Sequence, residues 1–237
     1  MAIGNVTPDS FYAASRLSDP DQVLTWARSA LADGATILDI GGCSTRPGST
    51  PASEEEEWAR VAPALEVLRD ALPDTTLSLD TFRPEIAKRA LDTFGEMIIN
   101  DISGGCEQMY QLVWAHNVPY VLTIQGRYDA LTILDYTQTS NWIIDPGFGF
   151  CGGVEADYAC LHRMDELCAY QRPVLVGLSR KSMIWKPLGL TPDTCLMPTQ
   201  ALQLYALEHG ATILRTHDVA ATRQTITLYE HITNHKL

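Results

Sequence analysis

Residues Thr36-Ile37-Leu38-Asp39-Ile40, followed at once by Gly41-Gly42-Cys43-Ser44-Thr45-Arg46-Pro47-Gly48, set the pattern of the whole chain. An apolar run too short for a helix ends in a polar, glycine-rich stretch. Before it lies an amphipathic segment, Asp21–Ala32, closed by the turn Asp33-Gly34-Ala35. Hydrophobicity that is continuous rather than alternating implies burial on both faces, the habit of parallel strands. Working outward, the same unit recurs. Strands are expected at Ala2–Val6, Thr36–Ile40, Thr76–Leu79, Met97–Ile99, Pro119–Ile124, Trp142–Ile144, Pro173–Leu178 and Thr212–Arg215.

Helices are expected between them. Glu54–Leu72 opens on a capping box, Ser53 with Glu56, and Pro84–Phe94 begins with proline where the missing N–H costs nothing. Cys106–His116, Glu155–Tyr170, Asp193–His209 and Val219–Ile232 complete the set. Eight strands alternating with helices predict an α/β fold, a single (β/α)8 TIM barrel domain over residues 1–237. The crossover from Gly126 to Asn141 is short. Tyr128–Thr139 offers only Leu131, Leu134 and Thr137 on one side among helix-weakening β-branched residues, so the fifth unit should cover strands five and six poorly.

Bulk properties narrow the partners. A net charge of −12 argues against nucleic acid. No apolar run reaches membrane-spanning length, and the six cysteines form no CxxC pair, which fits reduced thiols in a cytoplasmic protein. Histidines lack the spacing of a zinc site.

Every expected strand ends in polar residues. Asn5, Asp80-Thr81, Asn100-Asp101, Gln125, Asp145, Ser179-Arg180-Lys181-Ser182 and Arg215-Thr216-His217-Asp218 would gather at one barrel rim, where active sites of this fold lie. Asp101 and Asp218 read equally as helix caps. Asp80, Asn100 and Asp145 stand at last strand positions, where an unpaired polar side chain is costly, and so point to function. Arg46, Arg180, Lys181, Arg215 and His217 are expected to supply positive charge for a phosphate or carboxylate. Gly41-Gly42 and Gly104-Gly105 read either as close approaches to an anion or as tight turns.

These residues carry a resemblance. Asn5-Val6-Thr7-Pro8-Asp9-Ser10-Phe11, Asp39 to Gly48, Leu79-Asp80-Thr81, Ile99 to Gly105, Ile144 to Phe150, Gly177 to Ser182 and Arg215 to Val219 resemble, in order, the motifs of the dihydropteroate synthase family of pterin-binding TIM barrels. The resemblance implies a transferase joining 6-hydroxymethyl-7,8-dihydropterin diphosphate to p-aminobenzoate in folate biosynthesis, giving 7,8-dihydropteroate and diphosphate. It places Asp80, Asn100, Ile102, Asp145, Phe150 and Lys181 around the pterin, with Ile124 as a further apolar wall. It places Thr45, Arg46, Pro47 and Ser182 at p-aminobenzoate, and Asn5, Arg215 and His217 at diphosphate. It further implies that Asn5 contacts Mg²⁺. Asp80, Lys181, Arg215 and His217 become the catalytic set, for a dissociative substitution assisted by Mg²⁺. Sulfonamides are implied as inhibitors, and a homodimer is compatible with the resemblance. The alternative is a pterin- or folate-binding barrel without synthase activity, of the methyltetrahydrofolate-binding type.

The chain departs from the family in five places, the most serious being the short crossover from Gly126 to Asn141 where the family has a loop and a long helix. The lead before strand one is shorter than usual, and Cys43 replaces a Glu or Gln. Cys151-Gly152-Gly153 follows Phe150 where Gly-Lys or Ala-Lys is common, and strand five ends in Leu122-Thr123-Ile124-Gln125 without the usual Met-His-Met.

Overall fold

The computed structural model describes residues 1–7, 19–43, 51–136 and 141–234. They group into two compact units, Met1–Tyr120 and Val121–Leu237.

The first unit repeats strand and helix: β1 (Ala2–Asn5), α1 (Pro20–Ala32), β2 (Ile37–Gly41), α2 (Glu54–Ala71), β3 (Thr76–Asp80), α3 (Pro84–Phe94), β4 (Ile98–Asp101) and α4 (Glu107–Ala115). The four strands lie in sequence order, and β1 with β2, β2 with β3 and β3 with β4 pair in parallel. Leu38, Ile40, Leu77, Leu79 and Ile99 are almost wholly buried, so both faces are covered, as the unbroken hydrophobic runs require. The helices begin where their caps dictate. The Asp19 carboxylate accepts from the Gln22 N–H at 2.9 Å, and Ser53 and Glu56 form the reciprocal capping box. Pro20 and Pro84 sit in first turns.

One buried charge ties α2 to the end of β3. Glu57 has no exposed surface, accepts from the Thr81 hydroxyl at 2.6 Å, and pairs with Arg83. Arg83 in turn donates to the carbonyl of Ala52.

The second unit contains most of β5 (Tyr120–Thr123), then a 3-10 turn (Tyr128–Thr132) running into α5 (Ile133–Tyr136). β6 (Trp142–Asp145), α6 (Val154–His162), β7 (Leu175–Val176), α7 (Ser182–Trp185), α8 (Leu196–Glu208), β8 (Ile213–Leu214) and α9 (Val219–Thr233) follow. Ile124 N–H donates to the carbonyl of Asp145 at 2.8 Å, Ile144 bridges to Val174, and β7 pairs in parallel with β8.

Every expected strand is present; β1, β5, β7 and β8 are shorter than expected, β2 is shifted by one residue, and β3, β4 and β6 run on to Asp80, Asp101 and Asp145. The helix expected over Glu155–Tyr170 stops at His162 and continues as a 3-10 segment from Met164 to Tyr170. The one over Asp193–His209 starts at Leu196, and α7 had no sequence signal. The fifth crossover is short as expected, but its cost is not incurred. Leu131 and Leu134 are buried, as are Val121, Leu122, Ile124, Trp142, Ile143 and Ile144. A few inward leucines suffice where the strands are only four residues long. Thr137 lies outside the described residues.

Replacing Glu57 by alanine would leave Arg83 and Thr81 without their partner. Breaking a buried pair in this way should cost about 3 kcal/mol, lowering Tm by roughly 6–12 °C for a chain of this size. Calorimetric unfolding of Glu57→Ala checks this, and an unchanged Tm would refute it.

Candidate active site

Strand register determines what can meet at the strand ends of the first unit. Asn5 pairs with Gly41, Gly41 with Asp80, and Asp80 with Asn100, so the four stand in one row. Side chains alternate along a strand, so partners in a row share a face. Gly41 leaves room for its neighbour: a Cβ there would lie 3.3 Å from the Asp80 Cβ and 3.5 Å from its Oδ2.

Two residues earlier on the same face, Asp39 pairs with Ser78. Asp39 is fully buried and accepts from the Ser78 hydroxyl at 2.6 Å. It also accepts from Asn100 Nδ2, at 3.2 Å to Oδ2 and 3.4 Å to Oδ1. A carboxylate can only accept, so the amide must turn its NH2 toward Asp39 and hold Oδ1 away from it as an acceptor. Asp39 thus sets the polarity of Asn100. Sequence reasoning gave it no role, although a lone carboxylate inside Ile37-Leu38-Asp39-Ile40 was the available signal.

Asp101 is not a helix cap. It is buried and accepts from the N–H and hydroxyl of Ser103 at 2.8 and 2.6 Å and from the Tyr120 hydroxyl at 3.0 Å. Burial pushes its carboxyl above the usual range, against the pull of those donors. Gly104-Gly105 is a tight turn: the Gly105 N–H is taken by Ser103 Oγ, and a Cβ there would strike the Tyr110 ring. Gly42 packs against α2, where a Cβ would sit 2.6 Å from Val61. Ile102 is partly exposed, whereas Ile124 is completely buried and cannot line a pocket.

In the second unit Asp145 ends β6 and accepts from the Gly147 N–H at 2.8 Å. Burial raises its pKa, and Gly147, Lys181 and Arg215 oppose the rise. Lys181 Nζ lies 4.4 Å from the Phe150 ring centroid, a cation–π contact. Gly149, at φ +86°, lets the chain pass so close that a Cβ would stand 2.9 Å from Lys181 Cδ. The buried Asp157 carboxylate holds this turn by accepting from the Gly149 N–H at 2.8 Å.

Two expected cations are not available as such. Arg180 grips Asp218 through two bonds, Nε to Oδ2 at 3.0 Å and Nη2 to Oδ1 at 2.7 Å, and donates Nη1 to the Pro192 carbonyl at 2.8 Å. Asp218 occupies the N-cap position of α9 without capping it, because its carboxylate is spent on Arg180. His217 is neutral: burial, then the positive charge of Arg215, hold its pKa down to about 3. Its Nδ1 lies 3.1 Å from Ser179 Oγ, and a Ser179 hydroxyl donating there leaves the proton on Nε2. Ser182 is partly exposed at the start of α7. Thr45, Arg46 and Pro47 lie outside the described residues.

These strand ends match known proteins along nearly the whole chain. A family model described as "Pterin binding enzyme" matches residues 1–139 and 136–217. A curated dihydropteroate synthase of Haemophilus influenzae is 34% identical, covering 99% of this chain and 94% of that protein. The solved Yersinia pestis dihydropteroate synthase with a sulfonamide drug superposes with a TM-score of 0.88 at 32% identity, over 99% of this chain and 94% of that one. The Xanthomonas albilineans dihydropteroate synthase with 4-aminobenzoic acid gives 0.86 at 34%, over 98% and 92%. Likeness of this extent makes the fold the (β/α)8 barrel of those enzymes. The chain therefore belongs to the pterin-binding enzymes, within the dihydropteroate synthase family, and is a transferase.

Proposed function

We propose that the chain condenses 6-hydroxymethyl-7,8-dihydropterin diphosphate with p-aminobenzoate, releasing diphosphate. The observation that carries this reading is the acceptor row of the first unit. Asp80 and an Asn100 amide whose oxygen is held outward by Asp39 suit the amino and N–H edge of a pterin. In the second unit Asp145 offers a further acceptor, Lys181 a donor for the ring carbonyl, and Phe150 an apolar wall beside it. Within the first unit, partly exposed Ile102 offers an apolar side chain. The ligands named for the related structures, a sulfonamide drug and 4-aminobenzoic acid, support an arylamine partner. Ser182 is assigned to its carboxylate, and Thr45, Arg46 and Pro47 to the loop that closes over it.

The bond from the pterin methylene carbon to the diphosphate oxygen breaks first, and its electron pair leaves with diphosphate. Arg215 meets that charge as a cation, and neutral His217 meets it as an Nε2–H donor. Asp80 faces the positive charge left on the methylene. The arylamine nitrogen, already neutral at pH 7, attacks the methylene and then loses its proton to water, so no strong base is required. A Mg²⁺ ion brought with the diphosphate would screen its charge. No cluster of His, Cys, Asp or Glu among the described residues could hold a metal unaided. The neutral amide oxygen of Asn5, at the end of β1, fits an ion that keeps several waters and takes its other ligands from phosphate.

Product formation from the two substrates, with and without Mg²⁺, tests the proposal against pterin binding alone. Asp80→Asn and Lys181→Ala should each lower kcat/KM by about 100-fold or more, roughly 2.7 kcal/mol of transition-state stabilisation, with Tm unchanged. Loss of cooperative unfolding in place of lost turnover would count against the assignment. Arg46→Ala should weaken p-aminobenzoate and sulfonamide binding in calorimetry and leave binding of 6-hydroxymethylpterin intact. Equal loss of both would move Arg46 out of the arylamine site.

His217 makes stability pH-dependent. Its pKa in the native state is about 3 against an ordinary 6.5, so below pH 6.5 the unfolded chain binds a proton that the native state refuses. Stability is complete above pH 6.5 and falls as pH drops toward 3. Urea midpoints measured across this window should fall less steeply in His217→Gln than in the parent. Matching slopes, or an imidazole that titrates near 6.5 by NMR, would overturn the neutral histidine.

A further inference from the structure

Cys151 and Cys160 belong to none of the roles above, and the second unit brings them together. Cys151 Sγ lies 3.3 Å from the Gly147 carbonyl oxygen and 3.7 Å from that of Pro146. Cys160 Sγ, on α6, reaches the same Pro146 oxygen at 3.8 Å. Both sulfurs thus converge on one carbonyl oxygen, that of Pro146, and the Tyr128 hydroxyl lies 3.9 Å from Cys160 Sγ. Both thiols are free, Cys160 buried and Cys151 partly exposed, so only an oxidant as small as hydrogen peroxide can pass Cys151 to reach Cys160. Among the described residues no third His, Cys, Asp or Glu completes a metal-binding group here.

The carbonyls they touch build the turn after β6. Pro146 O also accepts from the Gly126 N–H at 2.9 Å, and Gly147 O accepts from the Phe150 N–H at 2.9 Å. That turn carries Gly149 and Phe150 against Lys181.

We propose that Cys151 and Cys160 are a redox modification site, closing into a reversible disulfide that reshapes the Asp145–Phe150 turn. Cys151 beside it, then the Tyr128 hydroxyl, holds the Cys160 thiol below the ordinary range despite burial, which favours it as the attacking thiolate. The oxidant is a peroxide. The Cys160 thiolate takes one oxygen from hydrogen peroxide, giving a sulfenic acid and, with a proton, water. The Cys151 sulfur then attacks the Cys160 sulfur, the S–O bond breaks, and a second water leaves. Two thiols and one peroxide thus yield one disulfide and two waters, and an external dithiol reverses the bond. The linkage withdraws both thiols from the Pro146 and Gly147 carbonyls and pulls residue 151 toward α6, shifting the turn that seats Lys181.

The effect on turnover rests on the synthase reading, whereas the linkage itself does not. The full chain is treated with stoichiometric hydrogen peroxide, alkylated, digested without reductant and analysed by mass spectrometry. The expected result is a 151–160 cross-linked peptide lighter by two hydrogens. KM for the pterin diphosphate should rise about tenfold and recover with dithiothreitol. Cys151→Ser and Cys160→Ser should keep their basal KM and resist peroxide. Alkylated thiols at both positions after treatment would overturn the proposal. So would a linkage that leaves KM unchanged, or a Cys151→Ser protein inactivated as far as the parent. Should the reduced protein make no product, the cross-link and calorimetric binding of 6-hydroxymethylpterin still decide it.

Discussion

Parallel register across β1 to β4 is the constraint on which the chemistry of the first unit rests. Asn5, Gly41, Asp80 and Asn100 share a row only because the strands pair in this alignment. A slip of one residue between β2 and β3 would turn Asp80 to the opposite face and drive Leu79 into its place. Burial of both faces makes that slip prohibitive, since polar and apolar sets would exchange environments together. The hydrophobic core therefore does more than stabilise the unit: it fixes where each carboxylate can be.

The second unit reaches its polarity through pairing of charges. The chain carries a net charge of −12, yet Lys181 and Arg215 together oppose the burial-driven rise at Asp145 and help to keep His217 neutral. Arg180 is neutralised by Asp218, and the charge of Arg215 suppresses charge on His217. The working positive charge is accordingly narrower than the count of basic residues suggests, with Lys181 beside an aromatic ring and Arg215 at the end of β8.

Local signals in the chain were legible because local physics decides them. Ser53 with Glu56, Pro84, and the apolar runs each act within a few residues, and the helices and strands follow them. Contacts across long separations were not. Arg180 meets Asp218 across 38 positions and Ser179 meets His217 across the same span, so a basic residue after a strand could not be told from a neutralised one. Asp39 and Asn100 are 61 positions apart, and only their meeting reveals that the carboxylate sets the direction of the amide. Expected loss of core at the fifth crossover failed for a related reason: pattern counts apolar positions on one segment, while burial depends on what else packs there.

The clamp between Arg180 and Asp218 also has a bearing on how the chain is made. Arg180 has only 8% of its side chain exposed, so in the folded molecule its charge depends on Asp218, 38 positions later. On the ribosome, β7 and its arginine emerge well before residue 218. Until then the guanidinium must stay hydrated, and the end of β7 cannot settle into its final, dry setting. The end of β7 can therefore dry out only once the start of α9 has emerged and brought Asp218 to the guanidinium.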